Sequence, residues 1–361
     1  MPELSRPLAD LLERFRAGQR VALARAISVV ENERPGFQDL LHAALSRGLQ
    51  ARRVGFTGPP GAGKSSLIAA LAGVYRERGE EVGVVAVDPT SPFSGGALLG
   101  DRIRMNELAT DPGIFIRSMA TRGSLGGLAT TTREVIDLMD VFGFGRVLVE
   151  TVGVGQTELE ITGAADTVVV VLVPESGDAI QAMKAGLMEI ADVFVVNKAD
   201  RPGADRLLRE IRTAIHLRAG EAMSEVPAHH GVDLSAVARG KEERGAEVAG
   251  GRRWRPPEGW QIPVLKTVAH KGEGVPELLD ALERHRTHLE ESGELGVRRR
   301  ARAERRVRDV VDRELRRRVW GTPGARERLE EGLDRVSRGE ETPYSVARAV
   351  VEGVVGSEEG G

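Results

Sequence analysis

The chain has 361 residues, 41% of them hydrophobic and 29% charged, at a formal net charge of −3, a balance typical of a globular protein with one large or two modest cores. The absence of cysteine excludes disulfides, thiolate metal sites and cysteine catalysis, and the near-neutral charge argues against nucleic acid as the main partner. Because neither a signal-peptide core nor a membrane-length apolar stretch occurs, we expect a cytoplasmic protein with no membrane partner.

Apolar residues recur with helical spacing at the start of the chain, for example at Leu8, Leu11 and Leu12. A period of three to four residues is typical of amphipathic helices. Pro35 and Gly36 interrupt the pattern. We therefore predict an N-terminal helical segment over residues 1–50.

From residue 51 onward, short apolar runs alternate with helical stretches. Strands that alternate with helices predict an α/β domain, here 51–291, with a doubly wound, mostly parallel sheet covered on both faces. The seven runs read RRVGFTG, EVGVVAVD, GIFIRS, RVLVET, DTVVVVLV, DVFVVN and IPVLKTV. The polar, Gly-rich stretch at about 219–261 predicts an insertion. Its His229 and His230 have no further ligand at metal-binding spacing, so a surface pair is favoured.

A glycine-rich motif follows the first predicted strand and opens a predicted helix. It fits the phosphate-binding pattern G-x-x-x-x-G-K-[ST], in which backbone N–H groups and a helix N-terminus surround the phosphates. We expect Lys64 to bridge the β- and γ-phosphates as a catalytic cation and Ser65 to bind Mg²⁺. The predicted nucleotide-binding residues here are Gly58, Pro59, Pro60, Gly61, Ala62, Gly63, Lys64, Ser65 and Ser66. The motif alone does not separate ATP from GTP.

Three acids lie where the metal and the γ-phosphate are expected: Asp88, Asp101 and Glu150. Because Mg²⁺ keeps several of its waters, these carboxylates are predicted to hold metal-bound waters more than the metal itself. Gly153 is a candidate backbone donor to the γ-phosphate, so the stretch after Glu150 is predicted to order with GTP. Gln156 is a candidate for placing the attacking water, and packing beside the switch is an equal alternative.

The base is predicted to be guanine. The run DVFVVNKAD ends a buried strand with Asn197, Lys198 and Asp200, which fits the N-K-x-D pattern. An ionised Asp200 accepts from the two donors of guanine, whereas adenine would set an acceptor against it. Asn197 is expected to tie this loop to the phosphate loop. The turn after the last strand, Val268, Ala269 and His270, is predicted to complete the base pocket through its backbone.

The last part of the chain, 292–361, is predicted to be a helical extension. Residues 292–320 hold 11 Arg and 5 acidic residues, and residues 321–361 hold 5 Arg and 9 acidic residues. A basic binding surface is one interpretation of the Arg run. A solvated helix face with spaced counter-charges is the favoured one.

Four stretches together resemble one known family: DPTSPFSGGALLGDRIRM (88–105), IRSMATRGSLGGL (116–128), ETVGVGQTE (150–158) and NKAD. They are similar, in the same order, to the GTPases that accompany methylmalonyl-CoA mutase, known as MeaB or ArgK, within the metallochaperone class of P-loop GTPases. The resemblance covers about residues 20–290. Val268 departs from it, since relatives often have a small polar residue there.

The resemblance implies GTP hydrolysis that gates loading, protection or reactivation of the adenosylcobalamin of a partner acyl-CoA mutase. It also implies Mg²⁺ binding through Ser65, Asp88, Asp101 and Glu150, and a homodimer formed partly by the C-terminal helices. The segment 174–186 resembles a mobile loop that signals to the mutase, with Asp178 and Lys184 as coupling candidates and Lys184 also as a catalytic candidate.

Three alternatives remain open. A nickel-insertion GTPase would need metal-relay residues, and the chain has no Cys and no His-rich tract. A kinase or ATPase associated with amino-acid transport is disfavoured by N-K-A-D. A scaffold that binds GTP without turnover would differ in single-turnover hydrolysis.

Overall fold

The computed structural model describes residues 4–46, 48–88, 110–120, 130–151, 160–174, 186–219 and 259–355. The chain forms two compact units, Met1–Arg298 and Arg299–Gly361. The first unit contains the sheet and the second is helical. The domain boundaries at residues 50 and 291 stay predictions.

All seven predicted strands are present and pair in parallel, in the order β3-β2-β4-β1-β5-β6-β7. The predicted doubly wound α/β fold is therefore confirmed. The strands are β1 Arg52–Thr57, β2 Val82–Asp88, β3 Ile114–Ala120, β4 Arg146–Glu150, β5 Thr167–Leu172, β6 Val193–Val196 and β7 Val264–Lys266.

The helices of the first unit cover both faces of this sheet, as parallel strands require. They are α1 Arg6–Arg16, α2 Arg20–Glu31, α3 Phe37–Leu45, α4 Lys64–Glu77, α5 Thr130–Phe142, α6 Ala204–Ala219 and α7 Val275–Glu291, with one turn at Met188–Ile190 and 3₁₀ turns at Ile161–Gly163 and Ala269–Lys271. None of the helices in the described ranges is long and apolar enough to cross a membrane.

Strand β5 shows why the predicted runs are so uniformly apolar. Val168 and Val170 belong to the core on one face of the sheet, with residues of α1 to α3, α5 and α6. Val169 and Val171 belong to the core on the other face, with residues of α4 and α7. Alternate side chains of a strand point to opposite faces, so a strand buried on both faces is apolar throughout.

The amino ends of β5 and β6 are closed by a buried charge cluster, here called the basal cluster: Asp192, His285 and Arg298. The Arg298 guanidinium donates to both carboxylate oxygens of Asp192, at 3.0 and 3.1 Å. His285 Nε2 lies 3.1 Å from the same carboxylate, and its Nδ1 lies 2.9 Å from Thr167 Oγ1. Burial opposes ionisation of Asp192, but the facing His285 and Arg298 lower the pKa of its carboxyl below the ordinary value.

The basal cluster extends through two further contacts. Asp192 accepts a hydrogen bond from the backbone N–H of Val168 at 2.8 Å, and Trp260 donates to the Asp192 carbonyl at 2.9 Å. Arg298 is the first residue of the Arg-rich run and is only 9% exposed. The solvated helix face predicted for that run therefore does not include Arg298, whose charge is neutralised inside the first unit.

The second unit consists of the rest of α8 (Glu294–Gly321), then α9 (Ala325–Ser337) and α10 (Pro343–Val355). Along α8, exposed Arg308 and Arg317 pair with Glu304 and Glu314, one helical turn away, as expected for a solvated face. The helix also exposes three apolar side chains at four-residue spacing, Val307, Val311 and Leu315.

Candidate nucleotide site

The phosphate loop connects β1 to α4, and its glycines are required by the neighbouring chain. Gly58 has φ of 134°, and a Cβ there would lie 2.1 Å from the carbonyl oxygen of Val171. Gly63 has φ of 83°, and a Cβ there would lie 2.4 Å from Asn197 Nδ2. Both positions are in the left-handed region that favours glycine. The close approach of β5 and of the Asn197 side chain therefore fixes the shape of the loop.

Lys64 is the first residue of α4 and is 5% exposed. Its ammonium donates to the carbonyl oxygens of Gly58 and Pro59, at 2.9 and 3.2 Å. The charge is thus held across the loop by two neutral acceptors. The N-terminus of α4 adds a partial positive charge at the same place. Together they make this edge of the sheet suited to binding polyphosphate.

Ser65 and Glu150 meet beside the phosphate loop. The Ser65 hydroxyl donates to Glu150 Oε1 at 2.8 Å, and both side chains are buried. Glu150 ends β4 opposite Phe56 of β1 and Ala86 of β2. Asp88 ends β2 two residues beyond Ala86 at the same edge, although its side chain lies outside the described part. A hydroxyl beside a carboxylate is a donor set that suits a hard cation such as Mg²⁺.

Asn197 joins the phosphate loop to the base loop. Its Nδ2 donates to the Ala62 carbonyl at 2.9 Å. Its Oδ1 accepts from Thr267 Oγ1 at 3.0 Å and from the Ala269 N–H at 3.2 Å. The side chain is buried, and its amide is held from both ends. Asn197 therefore fixes the distance between the two loops that the sequence assigns to phosphate and base.

The other base-loop residues surround this junction. Lys198 has a positive φ of 55°, and its ammonium donates to the Gly61 carbonyl at 2.8 Å. Asp200 is exposed at the end of the loop, where its carboxylate is open to a ligand. Val268 is buried and pairs with Glu273 through a β-bridge, and His270 is exposed in the following 3₁₀ turn.

Three threonines at this edge were missed by sequence reasoning. Thr267 holds Asn197 through its hydroxyl and also donates its N–H to the Val196 carbonyl at 2.9 Å. Thr151, directly after Glu150, has its hydroxyl 3.0 Å from that of Thr57, and its N–H donates to the Phe56 carbonyl. Each is at most 1% exposed. The available signal is a threonine that ends a strand or directly follows one.

Several predicted site residues lie outside the described residues: Asp101, Gly153, Gln156, Asp178 and Lys184. The same holds for His229 and His230. The residues that the structure brings together are those of the phosphate loop, Glu150, and the two base-loop segments.

Comparison with known proteins identifies relatives of this chain. The family model described as "Methylmalonyl Co-A mutase-associated GTPase MeaB" matches residues 23–324. A protein of Pyrococcus abyssi assigned as a GTPase is 44% identical over 96% of this chain and 97% of its own. The methylmalonic aciduria type A homolog, mitochondrial, of Mus musculus is 35% identical over 78% of this chain and 64% of its own.

A solved structure, titled LAO/AO transport system kinase, has a TM-score of 0.61 at 27% identity, over 97% of this chain and 98% of that one. The chain therefore resembles a solved structure in its fold as well as in its sequence. The match of the family model covers the phosphate loop, Glu150 and both base-loop segments. The chain therefore belongs to the MeaB family of methylmalonyl-CoA mutase-associated P-loop GTPases.

Proposed function

We propose that this GTPase is a chaperone for an adenosylcobalamin-dependent acyl-CoA mutase, such as methylmalonyl-CoA mutase. In this function, GTP hydrolysis gates the loading, protection or reactivation of the mutase cofactor. The family description names association with methylmalonyl-CoA mutase, and the mouse relative is named for methylmalonic aciduria. Both names support a mutase as the partner.

The single observation that carries the nucleotide assignment is the double attachment of Asn197, to Ala62 on one side and to Thr267 and Ala269 on the other. These hydrogen bonds hold the two loops together, which supports their assignment as a phosphate loop and a base loop. In this arrangement Asp200 accepts hydrogen bonds from the guanine N1–H and 2-amino group, which adenine cannot supply. The transport-kinase title of the structural relative does not change this assignment, because a kinase acting with ATP would leave Asp200 facing an acceptor.

For hydrolysis, we assign the chain's residues as follows. Lys64 turns from the loop carbonyls to the β- and γ-phosphates and stabilises the negative charge of the transition state. Ser65 would hold Mg²⁺, and Glu150 and Asp88 would hold its waters. The metal would neutralise charge on the phosphate oxygens. Ser65 donates to Glu150 at 2.8 Å, so the hydroxyl and the carboxylate lie side by side, as this assignment requires.

The same proposal includes five residues that lie outside the described part of the chain. Asp101 completes the metal surroundings, Gly153 donates to the γ-phosphate and Gln156 positions water. Asp178 and Lys184 in the 174–186 segment respond to the mutase, with Lys184 as the catalytic group that docking would supply. Slow hydrolysis by the protein alone is expected, because switches without a supplied catalytic group are slow.

We also propose a cytoplasmic homodimer formed partly through the C-terminal helices. The apolar stripe of Val307, Val311 and Leu315 on α8 supports this. Exposed apolar residues that recur every turn of a helix are typical of a face covered by another chain.

The experiment is the GTPase rate of the native protein with and without the cobalamin-dependent acyl-CoA mutase of its host. Stimulation is expected, together with a GTP-dependent affinity for the mutase that is matched by a mutase-dependent affinity for GTP. Absence of stimulation by every such mutase of the host would contradict the chaperone function. Undiminished stimulation in Lys184→Ala would be consistent with the chaperone function but would show that Lys184 has no role in it.

A further inference from the structure

A groove runs between the first two helices, far along the chain from every residue assigned to the nucleotide. Its volume is about 510 Å³, and it is lined along its length by residues of α1, α2 and the turn that follows α2. The lining residues on α1 include Leu8, Leu11 and Arg14, and those on α2 include Ala22, Arg25 and Val29. These spacings of three and four residues put each set on one helix face, about two turns or 10 Å long.

The floor of the groove is apolar. Leu8, Leu11 and Val29 are partly buried and pack against the core of the first unit, so the floor is supported from below. Val21, at the margin, is 66% exposed. A partner that covered this exposed side chain and the apolar floor beside it would remove apolar surface from water, which favours binding.

The rim of the groove is basic. Within the described residues, the side chains of Arg14, Arg25 and Arg34 form neither a hydrogen bond nor an ion pair. Two arginines of the same helices that lie outside the groove are engaged: Arg16 donates to the Ala43 carbonyl, and Arg20 donates to the Ile114 carbonyl.

One acid, Asp10, also lines the groove. Three arginines against one aspartate leave a surplus of two positive charges (3 − 1 = 2). The three groove arginines therefore have no side-chain partner within the described residues. Guanidinium groups in this state are suited to pairing with carboxylates.

We propose that this groove docks an acidic amphipathic helix of another protein. The apolar residues of the two helix faces accept a third helix through its i, i+3, i+4 and i+7 side chains, which is a recurring mode of recognition. Glutamates or aspartates beside that apolar stripe pair with Arg14, Arg25 and Arg34, and their charge gives the docking its orientation and its rate. The inference is independent of the proposed function, since none of these residues belongs to the nucleotide site.

The test uses the full-length protein and a fluorescein-labelled helical peptide of about 18 residues, with Leu at i, i+3, i+4 and i+7 repeats and Glu at the flanking positions. A matched peptide carries Lys in place of every Glu. Fluorescence anisotropy is expected to show micromolar binding of the Glu peptide, at least about tenfold tighter than the Lys peptide and weakened by salt. No binding of the Glu peptide at roughly 1 mM, weaker than about −4 kcal/mol, would overturn the proposal.

The double variant Arg14→Glu, Arg25→Glu locates the site. Because both side chains are exposed and make no described contact, the variant is expected to fold and to hydrolyse GTP as the native protein does. Its affinity for the Glu peptide is expected to fall at least about tenfold. The double variant Arg209→Glu, Arg212→Glu changes two exposed arginines of α6 outside the groove. It alters the net charge by the same amount, is the matched control and is expected to bind the peptide normally.

Two further results would count against the partner helix. Equal loss of binding in the α6 control variant and in the groove variant would show an unspecific charge effect. A lower sedimenting mass of the groove variant in the absence of peptide would show that the groove is covered by a second copy of this chain. Either result would overturn the proposal, whereas an unchanged mass with selective loss of peptide binding supports it.

Discussion

The two ends of the parallel strands are both lined with polar side chains, yet they differ in what those side chains contact. At the amino ends, the Asp192 carboxylate is fully buried and is surrounded by Arg298, His285 and the Val168 N–H. At the carboxyl ends, the Lys64 ammonium donates to two neutral carbonyl oxygens, and Asp200 is exposed. The charges of the first group neutralise one another, whereas those of the second lie in the two loops that the sequence assigns to the phosphates and the base.

Because of this difference, we expect the polar residues at the two ends of the strands to have different roles, one in stability and the other in nucleotide binding and turnover. A closed set of buried charges loses much when one member is removed, because the remaining charge stays buried without compensation. Charges that face a ligand contribute little to folding and much to binding and turnover. Changes at the amino ends are therefore expected to alter unfolding, and changes at the carboxyl ends to alter nucleotide handling.

The largest effect is expected at the basal cluster. Asp192→Ala leaves the Arg298 charge buried, which should lower the free energy of unfolding by about 3–5 kcal/mol. Urea unfolding at pH 7 measures it. GTP-over-ATP preference in the folded fraction should not change. A loss below about 1 kcal/mol would show that the buried charges of the cluster do not depend on one another.

The same variant carries a pH signature with a defined sign. The folded-state pKa of Asp192 is lowered, so its contribution is fully present above the unfolded pKa of about 4 and is lost as pH falls below that value. The native protein should therefore lose stability more steeply than Asp192→Ala as the pH falls from about 4 through the lowered folded-state pKa. Parallel curves for the two proteins in this window would contradict the assignment.

At the carboxyl ends, Lys64→Ala is expected to lower the GTP hydrolysis rate by roughly a hundredfold to a thousandfold, because the γ-phosphoryl oxygens lose their nearest cation in the transition state. Single-turnover hydrolysis measures it. Lys198→Ala is a useful control, since its ammonium also donates to a loop carbonyl, that of Gly61, but lies on the base side. A larger loss of hydrolysis in the control than in Lys64→Ala would reverse the two assignments.

Nucleotide choice gives the next effect. GTP should bind at least about a hundredfold tighter than ATP, and Asp200→Asn should shift preference to xanthosine triphosphate, whose 2-oxo group accepts from the new amide. Competition for a fluorescent guanine nucleotide measures both. Because Asp200 is exposed, stability should change by less than about 0.5 kcal/mol. Equal binding of ATP and GTP by the native protein would remove the guanine assignment.

The same comparison explains which parts of the structure the sequence predicts. The nucleotide edge is built from contiguous runs, so GPPGAGKSS and NKAD identify it before any fold is known. The seven strands are equally legible because β-branched runs buried on two faces have no other simple interpretation.

The basal cluster has no such signal, since Asp192, His285 and Arg298 are far apart along the chain and meet only in the folded first unit. Arg298 even lies at the start of an Arg run that indicates a solvated helix. The threonines of the nucleotide edge are similar: whether the hydroxyls of Thr57 and Thr151 meet depends on the register of β1 and β4, which spacing along the chain does not encode.

That threonine pair gives a smaller effect, in which stability and activity change together. Thr151→Val should cost about 1–2 kcal/mol, because the buried Thr57 hydroxyl loses its partner. Adding Thr57→Val should recover part of the loss, since neither hydroxyl is then left alone, and a double-mutant cycle measures the coupling. Additive losses would show that the two hydroxyls act separately. Because Thr151 directly follows Glu150, the single variant should also require more Mg²⁺ for half-maximal GTP hydrolysis.

The smallest effect is expected near the amino ends, at Tyr75. Its side chain is fully buried under the Arg146 guanidinium, 4.7 Å from the ring centre, and its hydroxyl has no hydrogen-bond partner among the described residues. Tyr75→Phe keeps the ring and its contact with the cation while it removes a buried hydroxyl, so stability should stay equal or rise by up to about 1 kcal/mol.

Alkaline unfolding sharpens this last case. Burial raises the pKa of the Tyr75 hydroxyl well above its usual range. A raised pKa means that the folded state favours the neutral hydroxyl. The resulting contribution to the free energy of unfolding is complete below the unfolded-state pKa of about 10 and is lost as pH rises beyond it. Tyr75→Phe cannot ionise in the unfolded chain and should lose less stability above about pH 10 than the native protein. Urea unfolding across this range measures the difference. A variant that is less stable at pH 7 and equally sensitive to alkali would show that the hydroxyl is satisfied, and that the amino ends are closed at this residue as well.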